Sequence, residues 1–468
     1  MQNSTCLFQA YEEYRIIKEN KLRNEHNRSL LLDRQRHHLL APSILLGLLT
    51  GAVSVFFHLS LDYGEALRNQ VIDFAHQQAT IGPWIVMGLT TTAVFLSTGL
   101  VIRFSPEASG SGIPHLKAVL LGLQPFRWIR VLVIKFVSTL IGGSAGLMVG
   151  REGPTVHMGG AIGQGLANLW SEKTFKDHSV LVAAGGGAGL ASAFNSPLAG
   201  LVFVLEELDS RCNSFEFFAA AIACLTADMV CRVVLGQYPT FHLDITGAPP
   251  LNMLIAFLPL GIVSALLGYL FNRTLLAAQK LISLPLWPRI IWWFVLAVMV
   301  TTVGWLAPDL LGGGQGFVNG IIEGKVLTLQ TITLFFIIRF IVTIGSSSSG
   351  ASGGIFMPVL VLGALLGFGV GSTIQLLFPE LNVDAKLFAV VGMASYFTGV
   401  VMAPLTGIVL IIEMTGNYTL ILPLFVACFS AQIVADWLGV VPIYEALLEK
   451  NIRKSASREL ALSKGVDS

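Results

Sequence analysis

The sequence predicts an all-α integral membrane protein made of two similar halves. Of its 468 residues, 54% are hydrophobic and 12% are charged, against roughly 45–50% apolar and 25% charged in a soluble domain. Long apolar stretches recur along the chain, and two blocks of motifs from the first half recur in the second. Five stretches come near or exceed the ~20 residues of a transmembrane helix: 39–61, 81–104, 251–284, 290–307 and 328–344.

A second group of apolar segments is too short for a simple span, or is interrupted by Gly or opened by Pro. Such segments persist at membrane depth only where the freed backbone groups line protein or a water-filled cavity. We therefore expect broken helices inside a helical bundle. These segments are 155–170, 179–194, 197–208, 354–369 and 404–414.

Both ends of the chain are polar and rich in Lys and Arg. The first 40 residues mix charges of both signs and lack the apolar core of a signal peptide. By the positive-inside rule, both termini are expected in the cytoplasm, with an even number of crossings between them. The predicted parts are a cytoplasmic segment 1–40, a first membrane repeat 41–240, a second membrane repeat 250–445 and a cytoplasmic tail 446–468.

Composition also excludes several classes of function. The formal net charge of +1 gives no reason to expect nucleic acid as a partner. No zinc-type or phosphate-loop spacing is present, and the glycine clusters at 185–191 and 312–317 do not complete GxGxxG. The five cysteines are scattered and odd in number, which argues against a disulfide framework. We expect no metal, no cofactor and no enzymatic activity.

The repeat becomes visible when the chain is aligned with itself. With a shift of 204 residues, four positions match: Gly150, Pro154, Gly159 and Gly163 fall on Gly354, Pro358, Gly363 and Gly367. With a shift of 207, five positions match: Gly185, Pro197, Leu198, Gly200 and Glu206 fall on Gly392, Pro404, Leu405, Gly407 and Glu413. Gly and Pro are common in this chain, but so many matches in register indicate two homologous halves.

Several of the broken helices are predicted to begin at Pro after a Gly-rich or turn-forming stretch. A helix N-terminus offers unpaired N–H groups and about half a positive charge, which suits an anion. Pro fits the first helical turn, and Gly lets the preceding backbone turn its amides inward. Internally repeated transporters place their site where broken helices of both halves meet. The sequence therefore suggests an anion pathway formed by GSGIP (110–114), GREGP (150–154), NSP (195–197) and GGIFMP (353–358).

One of these motifs carries two adjacent charges, Arg151 and Glu152, with no other charge for many positions on either side. An ionised group at the bilayer centre costs roughly 2.5–3.5 kcal/mol on insertion scales. Adjacent residues cannot face each other on a helix, so the two charges do not simply neutralise one another. From the residues alone, a functional and a structural interpretation of Glu152 both stay open.

Three of these motifs, together with VPIY at 441–444, resemble the CLC family of chloride channels and chloride/proton antiporters. The resemblance covers about residues 40–448, and the order and spacing of the motifs are very specific. It implies an inverted-repeat membrane bundle of tilted and broken helices that works as a homodimer with one pore in each subunit. The chain ends soon after Tyr444. That length leaves no room for the paired nucleotide-binding modules of eukaryotic members, so a bacterial inner-membrane form is expected.

The resemblance also implies roles for single residues. The hydroxyls of Ser111 and Tyr444 would hold a central chloride, with the backbone N–H groups of Ile355 and Phe356. Glu152 would be the outer gate, a carboxylate that occupies an anion position when charged and leaves when protonated. Read without the resemblance, Ser111 is a turn residue and Tyr444 an interfacial anchor.

A second acid separates antiporters from channels in this family. Glu207, the second acid of VLEEL, matches the inner proton-transfer glutamate that antiporters carry and channels generally lack. Read alone, an acid near an apparent cytoplasmic helix end is ordinarily solvated. The match favours a secondary active transporter that exchanges chloride for protons across the lipid bilayer. The alternative is a passive voltage- or pH-gated chloride channel.

The chain departs from the family at the position after GSGIP, which is commonly acidic in relatives. Here it is His115, followed by Lys117. We expect a more basic inner vestibule, and the pH sensitivity stays open. His157, inside the GREGP block, is expected to be a packed, hydrogen-bonded core residue.

Two other classes of membrane protein are disfavoured. GASG at 350–353 matches the GxSG of rhomboid-type intramembrane serine proteases, with Ser352 as nucleophile. That nucleophile needs an activating base, and in those proteases the histidine follows the serine, whereas the last histidine here is His242. A purely structural or signalling membrane protein would not explain Pro- and Gly-marked helix starts in two repeats.

Overall fold

The chain folds as a bundle of helices that form the same succession of elements twice. The computed structural model describes residues 2–78, 80–170, 175–208, 214–241, 249–325, 327–381 and 383–453, with side chains described from residue 39 onward except at 175–177 and 214–215. Within these ranges, β-type pairing is confined to two isolated bridges. Residues 454–468 of the predicted tail lie outside the described residues.

The described residues of the first half form eight α-helices, and a π-helical turn, Val204–Leu208, extends the seventh. A 3-10 turn, Pro106–Ala108, separates the second helix from the third. The helices are α1 Gln2–His76, α2 Gly82–Phe104, α3 Ile113–Leu120, α4 Trp128–Ser144, α5 Glu152–Trp170, α6 Phe175–Phe194, α7 Pro197–Phe203 and α8 Ser214–Leu235.

The second half repeats this order, including a 3-10 turn at Pro308–Leu310 between its second and third helices. Its helices are α9 Phe257–Ala278, α10 Leu286–Leu306, α11 Gln315–Glu323, α12 Leu329–Ser347, α13 Phe356–Leu377, α14 Ala385–Val401, α15 Pro404–Thr415 and α16 Ile421–Trp437. A last helix, α17, spans 443–453.

Eight of the described helices are long and apolar enough to cross a membrane. They include all five spans predicted from the sequence, so that prediction is confirmed. Glu216–Leu235 and Tyr418–Trp437 are further spans that the sequence analysis did not name. The prediction of a short segment at 354–369 was wrong, because α13 continues through apolar residues to Leu377 and its glycines pack against a neighbouring helix instead of breaking it.

The two halves match in the geometry of their breaks as well as in their order. The residue that follows α2, Ser105, has φ −153° and ψ 82°, and the residue that follows α10, Ala307, has φ −151° and ψ 72°. The short helices α3 and α11 both begin after a glycine at φ 86°, Gly112 and Gly314. This left-handed backbone strongly favours Gly. The repeat seen in the sequence is therefore a repeat of backbone structure.

The halves are inverted relative to each other, because the equivalent helices α7 and α15 run antiparallel. A glutamate at the end of each helix accepts hydrogen bonds from the first amides of the other. The bonds are Leu405 N and Thr406 N to Glu206, at 3.1 and 2.7 Å, and Leu198 N and Ala199 N to Glu413, at 3.1 and 2.8 Å. Each repeat thus supplies the N-terminal cap of a helix in the other repeat.

A buried cation holds the loop in front of each short helix. Lys135 on α4 is fully buried, and its ammonium donates to the carbonyls of Ala108 and Gly110 at 3.0 and 2.6 Å. Arg339 on α12 is the equivalent residue in the second half, since 339 − 135 = 204. Its guanidinium donates to the carbonyls before α11, those of Leu310, Gly312 and Gly313. Both cations satisfy backbone carbonyls that have left a helix inside the bundle.

The repeated glycines mark the closest approaches between helices. A Cβ added at Gly159 on α5 would collide with the carbonyl of Gly185 on α6, and one added at Gly363 on α13 would collide with the carbonyl of Gly392 on α14. These backbones pack closely only because no side chain stands between them.

We expect Gly159→Ala and Gly363→Ala each to lower the stability of the protein by about 1–3 kcal/mol, because the added methyl overpacks a helix contact that cannot open locally. Gly88→Ala is the matched control, since a Cβ at Gly88 on α2 meets nothing within 4 Å. Thermal unfolding of the purified protein in detergent measures the effect. Equal unfolding temperatures for all three variants would contradict the close-packing role of the repeat glycines.

Candidate functional site

The starts of α3, α5 and α13 meet in the middle of the bundle, so the three glycine-rich motifs found in the sequence are brought together. Gly353 N donates to Gly110 O at 2.9 Å, within a parallel bridge between Gly110 and Ser352. Gly150 and Gly354 form an antiparallel bridge with hydrogen bonds of 2.7 and 2.8 Å. Since 354 − 150 = 204, this bridge joins equivalent residues of the two repeats, as expected where inverted halves meet.

Close backbone packing at Gly153 puts Ser111 beside the start of α5. A Cβ added at Gly153 would lie 2.9 Å from the Cβ of Ser111 and 3.0 Å from the Cα of Gly354. Any side chain at this position would separate the three motifs. Gly153, the second glycine of GREGP, is therefore required because both other motifs approach it closely.

Glu152 is the first residue of α5, and its side chain is only 2% exposed. Its Oε2 accepts a hydrogen bond of 3.3 Å from the amide of Met357, in the first turn of α13. The carboxylate of one half therefore lies at the helix N-terminus of the other, where the backbone amides and the helix dipole favour an anion. The Met357 amide was not among the donors predicted from the sequence.

Two further amides at the start of α13 are free to bind an anion. Ile355 and Phe356 are buried, and among the hydrogen bonds of the described residues neither backbone N–H is a donor to another protein group. The Phe356 ring packs on Phe194 and Phe397, with centroid distances of 5.3 and 4.5 Å. These apolar contacts fix the start of α13.

Ser111 is 8% exposed and lies between two glycines with left-handed backbone, Gly110 at φ 62° and Gly112 at φ 86°. Its Oγ accepts from the amide of Ile113 at 3.3 Å. This bond uses a lone pair, so the O–H stays available as a donor. Lys135 holds the carbonyl of Gly110 and so fixes the turn that carries Ser111.

Tyr444, the second residue of α17, is fully buried. Its hydroxyl has no hydrogen-bond partner among the described residues. Both Glu152 and Glu207 are near enough for their charges to act on this hydroxyl. A buried O–H without a partner is unusual in a folded protein and points to a ligand or a water as its acceptor.

Glu207 lies in the π-helical turn after α7 and is 7% exposed. The ammonium of Lys117, in the last turn of α3, is 2.8 Å from its Oε1. The charge of Lys117 is thus paired with this carboxylate. The more basic vestibule expected from His115 and Lys117 stays a prediction. His115 and His157 are both buried and share a hydrogen bond of 2.9 Å, which confirms the packed histidine expected at 157.

Arg151 points away from Glu152. Its guanidinium donates to the side chain of Gln315 at 2.9 Å and lies 3.8 Å from the carboxylate of Asp62. Arg151 therefore ties the start of α5 to α1 and α11.

Ser352, the nucleophile of the disfavoured protease interpretation, is buried and accepts a hydrogen bond of 2.9 Å from Thr139. None of its hydrogen-bond partners among the described residues is a histidine, and His242 lies outside the described residues. Within the same ranges, no three His, Cys, Asp or Glu side chains come together as a metal site requires.

Lys135 is a second residue near the site, besides Met357, that sequence analysis missed. Its signal was present, since it is the lone charge in the apolar run VLVIKFVSTLIG of α4. An ionisable side chain inside such a run is costly unless it has buried partners. Those partners are backbone carbonyls, whose positions no sequence pattern reveals.

Comparison with known proteins agrees with this architecture. A family model described as voltage gated chloride channel matches residues 93–436. The chain is 35% identical over 428 residues to the H(+)/Cl(−) exchange transporter ClcA of Vibrio parahaemolyticus, covering 90% of this chain and 91% of that protein. It is 33% identical over 470 residues to the ClcA protein of Salmonella gallinarum, covering 99% and 98%.

A solved structure of a slow cyanobacterial Cl−/H+ antiporter superposes with a TM-score of 0.85 at 34% sequence identity, covering 89% of this chain and 98% of that one. The related sequences and the solved structure match this chain over nearly its whole length. The region matched by the family model includes the motifs at the starts of α3, α5 and α13. This chain therefore belongs to the CLC family, the voltage-gated chloride channel family.

Proposed function

We propose that this chain is a secondary active transporter that exchanges chloride for protons across the membrane. The observation that carries the proposal is the position of Glu152, whose carboxylate accepts a hydrogen bond at the N-terminus of α13. A carboxylate resembles the transported anion in charge and also binds a proton. One side chain can therefore alternate with chloride at a single position and carry a proton when it leaves.

Chloride is bound by the four groups that the family resemblance names: the hydroxyls of Ser111 and Tyr444 and the amides of Ile355 and Phe356. The support is that all four residues are buried and that each offers an N–H or O–H free to donate to an anion. Hydrogen-bond donors at a helix N-terminus bind an anion without needing a cationic side chain.

Protons reach Glu152 through Glu207 by a path separate from the chloride route. Glu206 is equivalent to Glu413, and both cap a helix of the other repeat. Glu207 is equivalent to Met414, since 414 − 207 = 207, and its carboxylate takes no part in that capping. The packing that the two repeats share therefore does not require an acid at position 207. This supports a role for Glu207 in moving protons and not chloride.

The alternative function within this family is a passive chloride channel. Glu207 favours the exchanger, and so do the exchange activities in the names of the relatives. Vesicles containing the protein distinguish the two. An imposed chloride gradient drives protons uphill through an exchanger, whereas through a channel protons only follow the electrical potential.

The protein acts in the bacterial inner membrane as a homodimer with one pore in each subunit and with both termini in the cytoplasm. The family resemblance and the bacterial relatives support this assignment. Ion exchange breaks no covalent bond, so no enzymatic activity, cofactor or nucleic-acid partner is assigned.

Glu152→Ala should still conduct chloride but should lose all proton movement driven by chloride, because alanine neither replaces the anion at α13 nor carries a proton. Simultaneous recording of chloride efflux and external pH on vesicles measures both ions. Coupled proton pumping by this variant at the parent rate would refute the role of Glu152.

Tyr444→Phe should weaken chloride binding by about tenfold or more, because a hydrogen bond to a charged partner contributes about 1.5–3 kcal/mol. The hydroxyl has no protein partner among the described residues, so the unfolding temperature without chloride should not fall. Titration calorimetry and thermal unfolding in gluconate buffer test the two expectations. Unchanged chloride affinity would remove Tyr444 from the site.

Glu207→Gln should abolish proton movement while chloride flux persists, because the amide cannot bind and release a proton near neutral pH. Glu206→Gln is the matched control and should have a milder effect, since its remaining amide oxygen still accepts from the start of α15. The same paired recordings on vesicles apply. Parent-like proton pumping by Glu207→Gln would move the relay elsewhere or favour the channel.

A further inference from the structure

Two carboxylates from separate elements, Glu207 and Glu445, lie near the ammonium of Lys117. Lys117 Nζ lies 2.8 Å from Glu207 Oε1 and 4.0 Å from Glu445 Oε1. The side chains of Lys117 and Glu207 are 11% and 6% exposed, whereas that of Glu445 is 56% exposed. The ammonium therefore lies between a buried carboxylate and one that faces the outside of the protein.

We propose that Lys117 is a positioning residue that controls proton uptake by Glu207, and that Glu445 is its alternative partner. The inference rests on the proposed proton route through Glu207. It assigns a role to the lysine in the last turn of α3 and to an acid directly after Tyr444.

The ion pair opposes protonation of Glu207. At 2.8 Å the ammonium donates directly to Oε1, and a cation this close favours the ionised carboxylate. A buried ion pair that loses one partner leaves an uncompensated charge, which is strongly unfavourable. Glu207 therefore takes up a proton readily only when Lys117 has moved to another anion.

Glu445 supplies that other anion. The distances of 2.8 and 4.0 Å mean that the ammonium exchanges partners by a small shift, and a lysine side chain has a flexible stem that permits it. An exposed ion pair contributes only about 0–1 kcal/mol. Lys117 is therefore not trapped at Glu445 and returns once Glu207 has passed its proton on.

The remaining groups that act on Glu207 do not replace this exchange. Glu206 is the nearest acid on the same segment, but its carboxylate is held by the first amides of α15. From α17, Tyr444 adds a neutral hydroxyl and Glu445 adds the charge that competes for Lys117. The cation that contacts Glu207 is Lys117.

The test is the pH, on the side of the membrane that Glu207 faces, at which the chloride-driven proton flux that leaves this side falls to half. Vesicles with one orientation of the protein are used, and the pH of the other side is held constant. Lys117→Met keeps the length of the side chain and removes the charge, so the half-point should move to higher pH by about one unit, a tenfold lower proton concentration. Glu445→Gln removes the competing anion and leaves Lys117 on Glu207. Its half-point should move the other way, to lower pH, by about half a unit.

Matched controls separate this role from a general effect of charge. Lys325→Met removes a cation from an exposed pair with Asp309, and Glu449→Gln removes an acid one turn beyond Glu445 on α17. Both should keep the parent half-point. Lys117→Arg retains the cation and should restore most of the parent profile, which a purely steric role of Lys117 would not explain.

Parent-like half-points for both Lys117→Met and Glu445→Gln, or shifts in the same direction, would overturn the inference. If Lys117→Met does not fold, the direction of the shift in Glu445→Gln decides, because that side chain is half exposed. Continued proton pumping by Glu207→Gln would instead refute the proposed function. If Glu207→Gln stops protons and the two variants match the parent, only the role of Lys117 fails.

Discussion

The backbone groups at the ends of broken helices must find partners inside the bundle, and most of the structure follows from how they do so. Lys135 and Arg339 bind carbonyls in front of α3 and α11. Glu206 and Glu413 bind amides at the starts of α15 and α7. These partners are permanent side chains. The start of α13 differs, because the amide of Met357 donates to a carboxylate that the proposed function requires to leave.

The two acids assigned to protons both lie where the equivalence of the repeats is broken. Glu152 opens α5, and its equivalent at the start of α13 is Phe356, since 356 − 152 = 204. Glu207 is equivalent to Met414. Each acid thus has an apolar counterpart, whereas the capping glutamates and the two buried cations occur in both halves. The shared residues build the bundle, and the proposed function assigns proton transfer to the two unshared acids.

Sequence predicted those parts of the structure that local backbone chemistry determines. Gly and Pro at fixed spacing mark helix starts and close contacts, so the repeat and the meeting of the three motifs could be expected. The inversion of the halves was expected only from the family resemblance. The reciprocal caps and the pair of Lys117 with Glu207 could not be expected, because each depends on which of several polar groups far apart in the chain becomes a partner. The length of α13 was misjudged because a glycine that packs and a glycine that breaks a helix look alike in sequence.

The reciprocal caps also constrain how the protein is made. The carboxylate that caps α7 belongs to Glu413, which follows Leu198 by 215 residues. While the first half is being synthesised, the opening amides of α7 have no such partner, and the antiparallel surface on which α15 packs is uncovered. The first half therefore completes its structure only after the second has been inserted into the membrane. A chain released before residue 413 would leave the opening amides of α7 without the carboxylate that caps them.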